Sequence, residues 1–165
     1  MLDRAVEAIT GGRVVWHCEI DPVASQVLAQ RWPGVPNLGD IRAVNWSRIR
    51  WGRTPGPVDV LCGGFPCTDV SLAGAGAGLG PGTQSGLWSE FARAVDTLRP
   101  GQVIIENVRS LLRVPADRPA LGDVLRDLAD LGYDADWETV PASAVGAPHR
   151  RDRIFIVAAA HAHRL

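Results

Sequence analysis

The 165-residue sequence predicts a single α/β domain over residues 1–165 with a doubly wound, mostly parallel sheet. Short apolar runs typical of buried strands alternate with amphipathic helical segments along the chain. The strand-like runs are continuously apolar, as expected for strands that are covered on both faces. With 46% hydrophobic and 21% charged residues, the chain has the composition of a globular protein with its own core.

The predicted helices are marked by local start and stop signals. Gly11 ends the first one, Pro22 suits the first turn of the second, and Pro100 closes the third. The fourth carries leucines at helical spacing on one face. The helices predicted on these signals are Leu2–Ile9, Pro22–Arg31, Gly86–Leu98 and Asp117–Leu131.

The predicted strands are short apolar or β-branched runs that lie between the helices. Two of them close the chain after the last helix. They are Val14–Cys18, Val58–Cys62, Gln102–Ile105, Tyr133–Val140 and Arg153–Ala159.

Three cysteines, Cys18, Cys62 and Cys67, indicate the redox setting. Their odd number and the absence of a CxxC pair argue against a disulfide framework or a zinc site, so we expect no metal and a reducing cytoplasm. The longest apolar stretch, Arg153–Ala160, is too short to span a bilayer, and no signal peptide opens the chain, so we expect no membrane association.

All 17 basic residues are arginines, and some of them form two clusters. Arg42–Arg53 interleaves with Trp46 and Trp51, and a second group spans Arg150–Arg153. Arginine with tryptophan suits phosphate and base contacts. A solvated arginine face is an equally good interpretation of the first cluster.

Polar and reactive side chains follow the predicted strands. They are Glu19 with Asp21, Cys67 within Gly63–Ser71, Glu106 with Asn107, and the group His149–Arg153 before the last strand. Ligands of doubly wound sheets bind outside the carboxyl ends of the strands. A thiol, a carboxylate and arginines contributed by separate segments therefore predict an active site on one edge of the sheet.

Three tripeptides in series carry a family resemblance. FPC at Phe65–Cys67, with Ser71 four residues on, is followed by ENV at Glu106–Val108 and RDR at Arg151–Arg153. In order and spacing they resemble the DNA cytosine-5 methyltransferases, from Leu2 to about Ala159. The resemblance implies a Rossmann-like class I S-adenosylmethionine-dependent methyltransferase fold, double-stranded DNA as the partner and a restriction-modification setting in a bacterial or phage context.

The chemistry that these residues suit is methyl transfer to carbon 5 of a cytosine. A Cys67 thiolate adds to carbon 6 and makes carbon 5 nucleophilic, and an acid at Glu106 meets the charge at N3. The target base must be flipped out of the duplex for this to happen. The resemblance assigns Arg153 to O2 of the base, Arg151 to support, and Asn107 to fixing the loop that carries Cys67.

The resemblance also implies S-adenosyl-L-methionine as cofactor and a set of loop contacts to DNA. Glu19 matches the carboxylate that holds the ribose, Asp40 lies near the adenine amino group, and Ile41 stacks on the ring. The remaining cofactor residues are Leu87 and Pro66, and the loop and DNA residues are Ser71, Thr68, Gly74, Gly76, Gly78 and His149. The glycines predict a lid that closes on DNA.

The sequence departs from the family pattern in several places. Thr68 and His149 each replace a usual glutamine, and Gln84 occupies a common arginine position. The sequence starts at Met1 in what looks like the helix that follows the family's glycine-rich cofactor turn. No target-recognition domain follows RDR. We therefore expect a partial catalytic domain that lacks its first central strand. A mis-set start, a split gene completed by a second polypeptide and a decayed remnant all explain this.

Two other functions fit parts of the sequence. A thiol hydrolase would use Cys67 with His149 as base, but it leaves Glu106 and the arginine pair without roles. A catalytically inactive remnant would bind nucleic acid or a partner chain without forming a covalent adduct.

Overall fold

A computed structural model describes residues 2–51, 57–66, 87–112 and 120–161. The chain divides into two compact units, Met1–Pro57 and Val58–Leu165. Among the described residues, no helix has the length and apolar character needed to cross a bilayer.

Unit 1 is mainly helical. It contains α1 (Leu2–Thr10), α2 (Pro22–Arg31), a 3-10 turn at Ile41–Ala43 and α3 (Trp46–Trp51). The prediction for α2 is confirmed at both ends. Asp21 caps this helix by accepting a 2.7 Å hydrogen bond from the Ala24 N–H, and Pro22 occupies its first turn.

The prediction of a strand over Val14–Cys18 is wrong. In the described part of unit 1, this segment pairs only through an isolated parallel bridge between His17 and Asn37. The facing segment is short because Gly34 and Gly39, both at positive φ, turn the chain on either side of it. An extended run becomes a strand only when a neighbour supplies a ladder of hydrogen bonds, and this neighbour is too short to do so.

Unit 2 contains a four-stranded sheet in the order β1 (Val60–Gly63), β2 (Gln102–Val108), β4 (Asp152–Ala160) and β3 (Tyr133–Pro141). The four strands predicted here are confirmed in position. The expected parallel pairing occurs between β1 and β2, whereas β4 pairs antiparallel with both β2 and β3. The described sheet is therefore mixed.

The core of unit 2 lies on one face of this sheet. Burial alternates along β2 and β4, so every second side chain is fully covered. Two helices supply the other part of the core, α4 (Leu87–Leu98) and α5 (Ala120–Asp130), and Trp88 on α4 donates a 2.8 Å hydrogen bond to Asp127 on α5. The core side chains that are no more than 1% exposed include Val95, Val103, Ile105, Val124, Leu128, Ile154 and Ile156.

Two glycines at the end of β1 allow close approach of neighbouring segments. A Cβ on Gly63 would lie 3.0 Å from the ring of Phe91. A Cβ on Gly64 would lie 2.6 Å from the backbone oxygen of Glu106, which cannot move without distorting β2. Gly64 therefore lets the chain leaving β1 lie directly against the end of β2.

We expect Gly64→Ala to destabilise the protein by about 1–3 kcal/mol, because the new methyl group overlaps the Glu106 carbonyl. Gly101→Ala is the matched control, since its Cβ would meet the Asp59 oxygen at an ordinary 3.5 Å. Urea unfolding of both variants measures the difference. Equal urea midpoints of the two variants would show that a backbone shift of low free-energy cost relieves the contact at Gly64.

Candidate active site

Glu106 and Asn107 lie within β2 rather than after it. The strand was predicted to end at Ile105, but its ladder with β4 continues through the pairs Glu106–Phe155 and Asn107–Ile154. Because side chains alternate along a strand, the two residues point to opposite faces. Asn107 is 4% exposed on the core face, whereas the Glu106 side chain is 37% exposed on the other face.

Glu106 forms an ion pair with Arg153 across the β2–β4 ladder. Val108 lies opposite Arg153 and Glu106 lies opposite Phe155, so the two charged residues are diagonal neighbours on one face. Nε of Arg153 lies 2.6 Å from Oε1 of Glu106, and the two side chains are 22% and 37% exposed. The structure thus brings together two residues that the sequence assigned to one site.

Asn107 connects the end of β2 to the segment before Cys67. Its Nδ2 donates a 3.0 Å hydrogen bond to the Phe65 carbonyl, and its Oδ1 accepts a 2.8 Å bond from the Val108 N–H. The Phe65 ring is buried, with its centroid 5.3 Å from that of Trp88. Phe65 is therefore held through both its backbone and its side chain.

The segment that follows Phe65 is described only as far as Pro66. Pro66 is exposed at its start. Several predicted site residues lie outside the described ranges: Cys67, Thr68, Ser71, Gly74, Gly76 and Gly78.

The turn before β4 carries the other predicted residues. His149 and Arg151 are both exposed there, and Arg151 precedes the first residue of β4. Arg153, two residues further, contacts Glu106 from within the strand. In the described residues it is therefore Arg153 whose guanidinium pairs with Glu106.

Sequence reasoning missed Gly64 and Trp88 as supports of this site. The signal for Gly64 was the paired glycine immediately before FPC, which often marks a close backbone approach. Trp88 gave no such signal, because a tryptophan on an amphipathic helix is usually a core residue.

In unit 1, Glu19 is held in a defined conformation. Its Oε1 accepts a 2.8 Å hydrogen bond from the Asp21 N–H. Its backbone N–H and carbonyl both bond to the side-chain amide of Asn37, at 3.0 Å and 2.9 Å. Within the described part of the chain, no hydrogen-bond partner occupies the other carboxylate oxygen of Glu19, which can therefore accept from a ligand hydroxyl.

Asp40 caps the 3-10 turn that begins at Ile41 and is already paired. It accepts from the Arg42 backbone N–H at 3.0 Å, and Nη2 of Arg42 lies 2.7 Å from Oδ2. The side-chain hydrogen bond from Arg42 lowers the pKa of Asp40, so the carboxylate is ionised. A ligand amino group at this position would share the carboxylate with Arg42.

Two acidic residues of unit 1, Asp40 and Glu19, influence Cys18. Burial, followed by the negative charges of Asp40 and Glu19, raises the pKa of the Cys18 thiol to about 11. Glu19 directly follows Cys18 in the sequence, and the negative charges of Asp40 and Glu19, both predicted cofactor residues, act on its thiol. At neutral pH, Cys18 is a protonated, weakly nucleophilic thiol.

The remaining predicted cofactor residues are distributed over the two units. Ile41 is half-buried in unit 1, and Leu87 is half-buried at the start of α4 in unit 2. Among the described residues, no cluster of three or more His, Cys, Asp or Glu side chains could hold a metal ion.

The α/β sheet with a carboxylate beside an arginine, together with the FPC cysteine in the sequence, agrees with the methyltransferase domain expected from the sequence. The sequence profile of C-5 cytosine-specific DNA methylase matches residues 3–165. The chain therefore belongs to the C-5 cytosine-specific DNA methylase family.

Individual relatives agree with this assignment. The chain is 34% identical over 145 residues to the type II methyltransferase M2.BsuMI of Bacillus subtilis, covering 86% of this chain and 35% of the relative. It is 37% identical over 155 residues to the type II methyltransferase M.HgiBI of Herpetosiphon aurantiacus, covering 92% of this chain and 33% of the relative. The chain thus spans about a third of the length of these curated relatives.

The fold prediction is confirmed by a solved structure. The S. pombe Dnmt2 methyltransferase superposes with a TM-score of 0.74 over 99% of this chain and 49% of its own, at 13% identity. At that identity the likeness shows the fold alone, which is the Rossmann-like methyltransferase fold expected from the sequence.

We expect Cys18 to resist alkylation at about pH 8, where a pKa near 11 leaves its thiolate fraction roughly a hundredfold below that of an ordinary cysteine. Its labelling should rise steeply only as the pH approaches 11, because the thiol then ionises. Iodoacetamide labelling of the native protein, followed by peptide mass spectrometry, measures this for each cysteine.

Asp40→Asn is the matched variant for this test, because it removes one of the charges that raise the Cys18 pKa. It should shift the labelling profile of Cys18 to lower pH. Rapid labelling of Cys18 at neutral pH in the wild-type protein would show that the thiol is neither buried nor surrounded by negative charge.

Proposed function

We propose that this protein transfers a methyl group from S-adenosyl-L-methionine to carbon 5 of a cytosine in double-stranded DNA. Family membership and the names of the type II methyltransferase relatives support the reaction. The observation that carries the proposal is the convergence of the three motifs. Glu106 contacts Arg153 at 2.6 Å, and the adjacent Asn107 holds Phe65, two residues before Cys67.

Cys67 is proposed as the nucleophile. Its thiolate sulfur bonds to carbon 6 of a base flipped out of the duplex. The electrons of the carbon 5–carbon 6 double bond shift toward N3, and this makes carbon 5 nucleophilic. Carbon 5 then bonds to the methyl group as the sulfur–methyl bond of the donor breaks, and the electron pair of that bond remains on the donor sulfur. Loss of the proton on carbon 5 and departure of the sulfur from carbon 6 regenerate the free enzyme.

Glu106 and Arg153 are proposed to hold the Watson–Crick edge of that base. N3 and O2 of cytosine project side by side from this edge, and the Glu106 carboxyl and Arg153 guanidinium are neighbours on one sheet face. A carboxylic acid at N3 donates a proton or hydrogen bond to the charge that develops there. The guanidinium stabilises charge on O2. Arg151, which is exposed two residues before Arg153, is proposed to support this pair.

Asn107 is proposed to position the Cys67 loop. The hydrogen bond from its buried amide fixes the Phe65 carbonyl, so the chain enters the loop in one orientation. Pro66, Thr68, Ser71, His149 and the glycines 74, 76 and 78 are proposed to contact the cofactor, DNA or the loop itself, as the family resemblance implies.

The residues of unit 1 fit part of an S-adenosyl-L-methionine site. Bound there, this cofactor would supply an electrophilic methyl group to the reaction. Glu19 is proposed to hold the ribose hydroxyls, because one of its carboxylate oxygens is available. Asp40 and Ile41 are proposed to line the adenine site, with Asp40 shared between the adenine amino group and Arg42. Leu87 is proposed as a cofactor residue from the family resemblance alone.

A complementing polypeptide is a further proposed partner. In the described residues of unit 1, three buried ring nitrogens have no hydrogen-bond partner: Trp16 Nε1, His17 Nε2 and Trp46 Nε1. Buried donors are normally paired, because an unmade hydrogen bond costs about 1–3 kcal/mol. A segment that displaces the side chains covering these nitrogens and offers them hydrogen-bond partners would stabilise unit 1. A reducing bacterial cytoplasm is the proposed setting, since it keeps the Cys67 thiol reduced.

We expect the protein, supplied with the cofactor, to form a covalent adduct with DNA that carries 5-fluorocytosine, because fluorine at carbon 5 blocks release of the sulfur. Cys67→Ser should abolish the adduct, since a serine hydroxyl is a far weaker nucleophile at neutral pH. Denaturing gel electrophoresis of labelled DNA measures it.

Cys62→Ala is the matched control for this assay. It removes a half-buried thiol from β1 and should leave adduct formation in place. Retention of the adduct in Cys67→Ser would contradict the proposal that Cys67 is the nucleophile. A wild-type chain that binds cofactor and DNA without forming any adduct would favour the inactive remnant.

We also expect S-adenosyl-L-methionine to raise the Tm, with a dissociation constant roughly tenfold weaker in Glu19→Gln, because a neutral amide accepts more weakly from ribose hydroxyls. Glu138→Gln is the control, since Glu138 is an exposed carboxylate on β3. Thermal-shift titration gives the dissociation constant of each of the three proteins. An equal increase in Tm with cofactor concentration in all three proteins would exclude Glu19 from the cofactor site.

A further inference from the structure

A second ion pair links the ends of β2 and β4 next to the Glu106–Arg153 contact. Nη1 of Arg109 lies 3.0 Å from Oδ2 of Asp152. Arg109 is the first residue after β2, and Asp152 is the first residue of β4. The ladder pairs Val108 with Arg153, so one further step of the same antiparallel register sets Arg109 opposite Asp152.

Asp152 also contacts Arg153 directly through its backbone. Its carbonyl accepts a 3.0 Å hydrogen bond from Nη1 of Arg153. The Arg153 guanidinium is thus held at two points, with Nε on the Glu106 carboxylate and Nη1 on the Asp152 carbonyl. Asp152, which supplies the second contact through its carbonyl, is itself held by the hydrogen bond from Arg109 to its side-chain carboxylate.

We propose that Arg109 and Asp152 are positioning residues for Arg153. Arg109 fixes the first residue of β4 against the end of β2, and Asp152 passes that constraint to the guanidinium through its carbonyl. The proposal rests on the proposed function for the role of Arg153 at the base. Neither Arg109 nor Asp152 needs to touch the substrate.

The exposure of the pair indicates that its role is orientation rather than global stability. The Arg109 and Asp152 side chains are 57% and 30% exposed, and ion pairs in such positions contribute little to unfolding free energy. A fixed orientation matters more, because a small displacement of a group that stabilises a transition state costs rate. Loss of the Arg109–Asp152 pair should therefore change the orientation of the Arg153 guanidinium without unfolding the protein.

The direct test is solvent exchange of the Arg153 Nε–H, followed by ¹⁵N NMR and assigned by comparison with Arg153→Lys. Arg109→Met and Asp152→Asn should each accelerate this exchange by roughly threefold or more, because local opening exposes the donor. The charge-swapped double variant, Arg109→Asp with Asp152→Arg, should restore slow exchange. Unchanged exchange in both single variants overturns the proposal.

A matched control comes from α5. Arg126 is 51% exposed and pairs with Asp123 and Asp127, so Arg126→Met removes a similar surface ion pair at another position. It should leave both the Arg153 exchange and adduct formation unchanged. Equal acceleration in Arg126→Met would show a general loosening of the protein and would also overturn the proposal.

Adduct formation with 5-fluorocytosine DNA provides the second readout. In Arg109→Met, the rate at saturating DNA should fall roughly tenfold with little change in DNA affinity, because Arg153 is misplaced only at the reacting base. If Arg109→Met accelerates the exchange of the Arg153 Nε–H but does not slow adduct formation, the proposal is overturned. A wild-type protein that forms no adduct refutes the proposed function, and the NMR measurement still decides whether Arg109 and Asp152 position Arg153.

Discussion

The antiparallel pairing of β2 with β4 is the constraint on which the candidate site depends. It makes Glu106 and Arg153 diagonal neighbours on one face, although 46 intervening residues separate them in the sequence. The attraction between the two charges is modest at their partial exposure, so it does not create the arrangement. Backbone hydrogen bonds along seven paired positions hold the strands in place, and the ion pair forms as a result.

The face behind this pair explains why the strand is rigid. Val103 and Ile105 on β2 and Ile154 and Ile156 on β4 are each 0% exposed. Asn107 is the polar exception in this row, and both ends of its amide are hydrogen-bonded. A buried amide that is satisfied in this way has few alternative conformations, and so it transmits the position of the core to the loop leading to Cys67.

Much of this arrangement could be predicted from the sequence, because β1, β2 and β4 are marked by apolar runs that a sheet can bury, and the more polar β3 is rich in aromatic and β-branched residues. Glu106, Asn107 and Arg153 could be chosen because they adjoin those runs. The strand expected at Val14–Cys18 could not be corrected in advance, since strand formation depends on the length of a partner segment. The pairing of Asp40 with Arg42 could not be predicted either, because it depends on a side-chain rotamer. The close approach at Gly64 had a signal in the paired glycine before FPC, but the sequence does not give the backbone distance.

The consecutive placement of Glu106 and Asn107 on opposite faces has a consequence for how this enzyme class can change. Sliding β2 by one residue against β4 would exchange them, burying a carboxylate among aliphatic side chains and turning the amide outward. A single insertion or deletion in this strand would thus remove the acid and the loop anchor in one event. Length variation should therefore accumulate in the connections between strands, whereas the register of this ladder stays fixed.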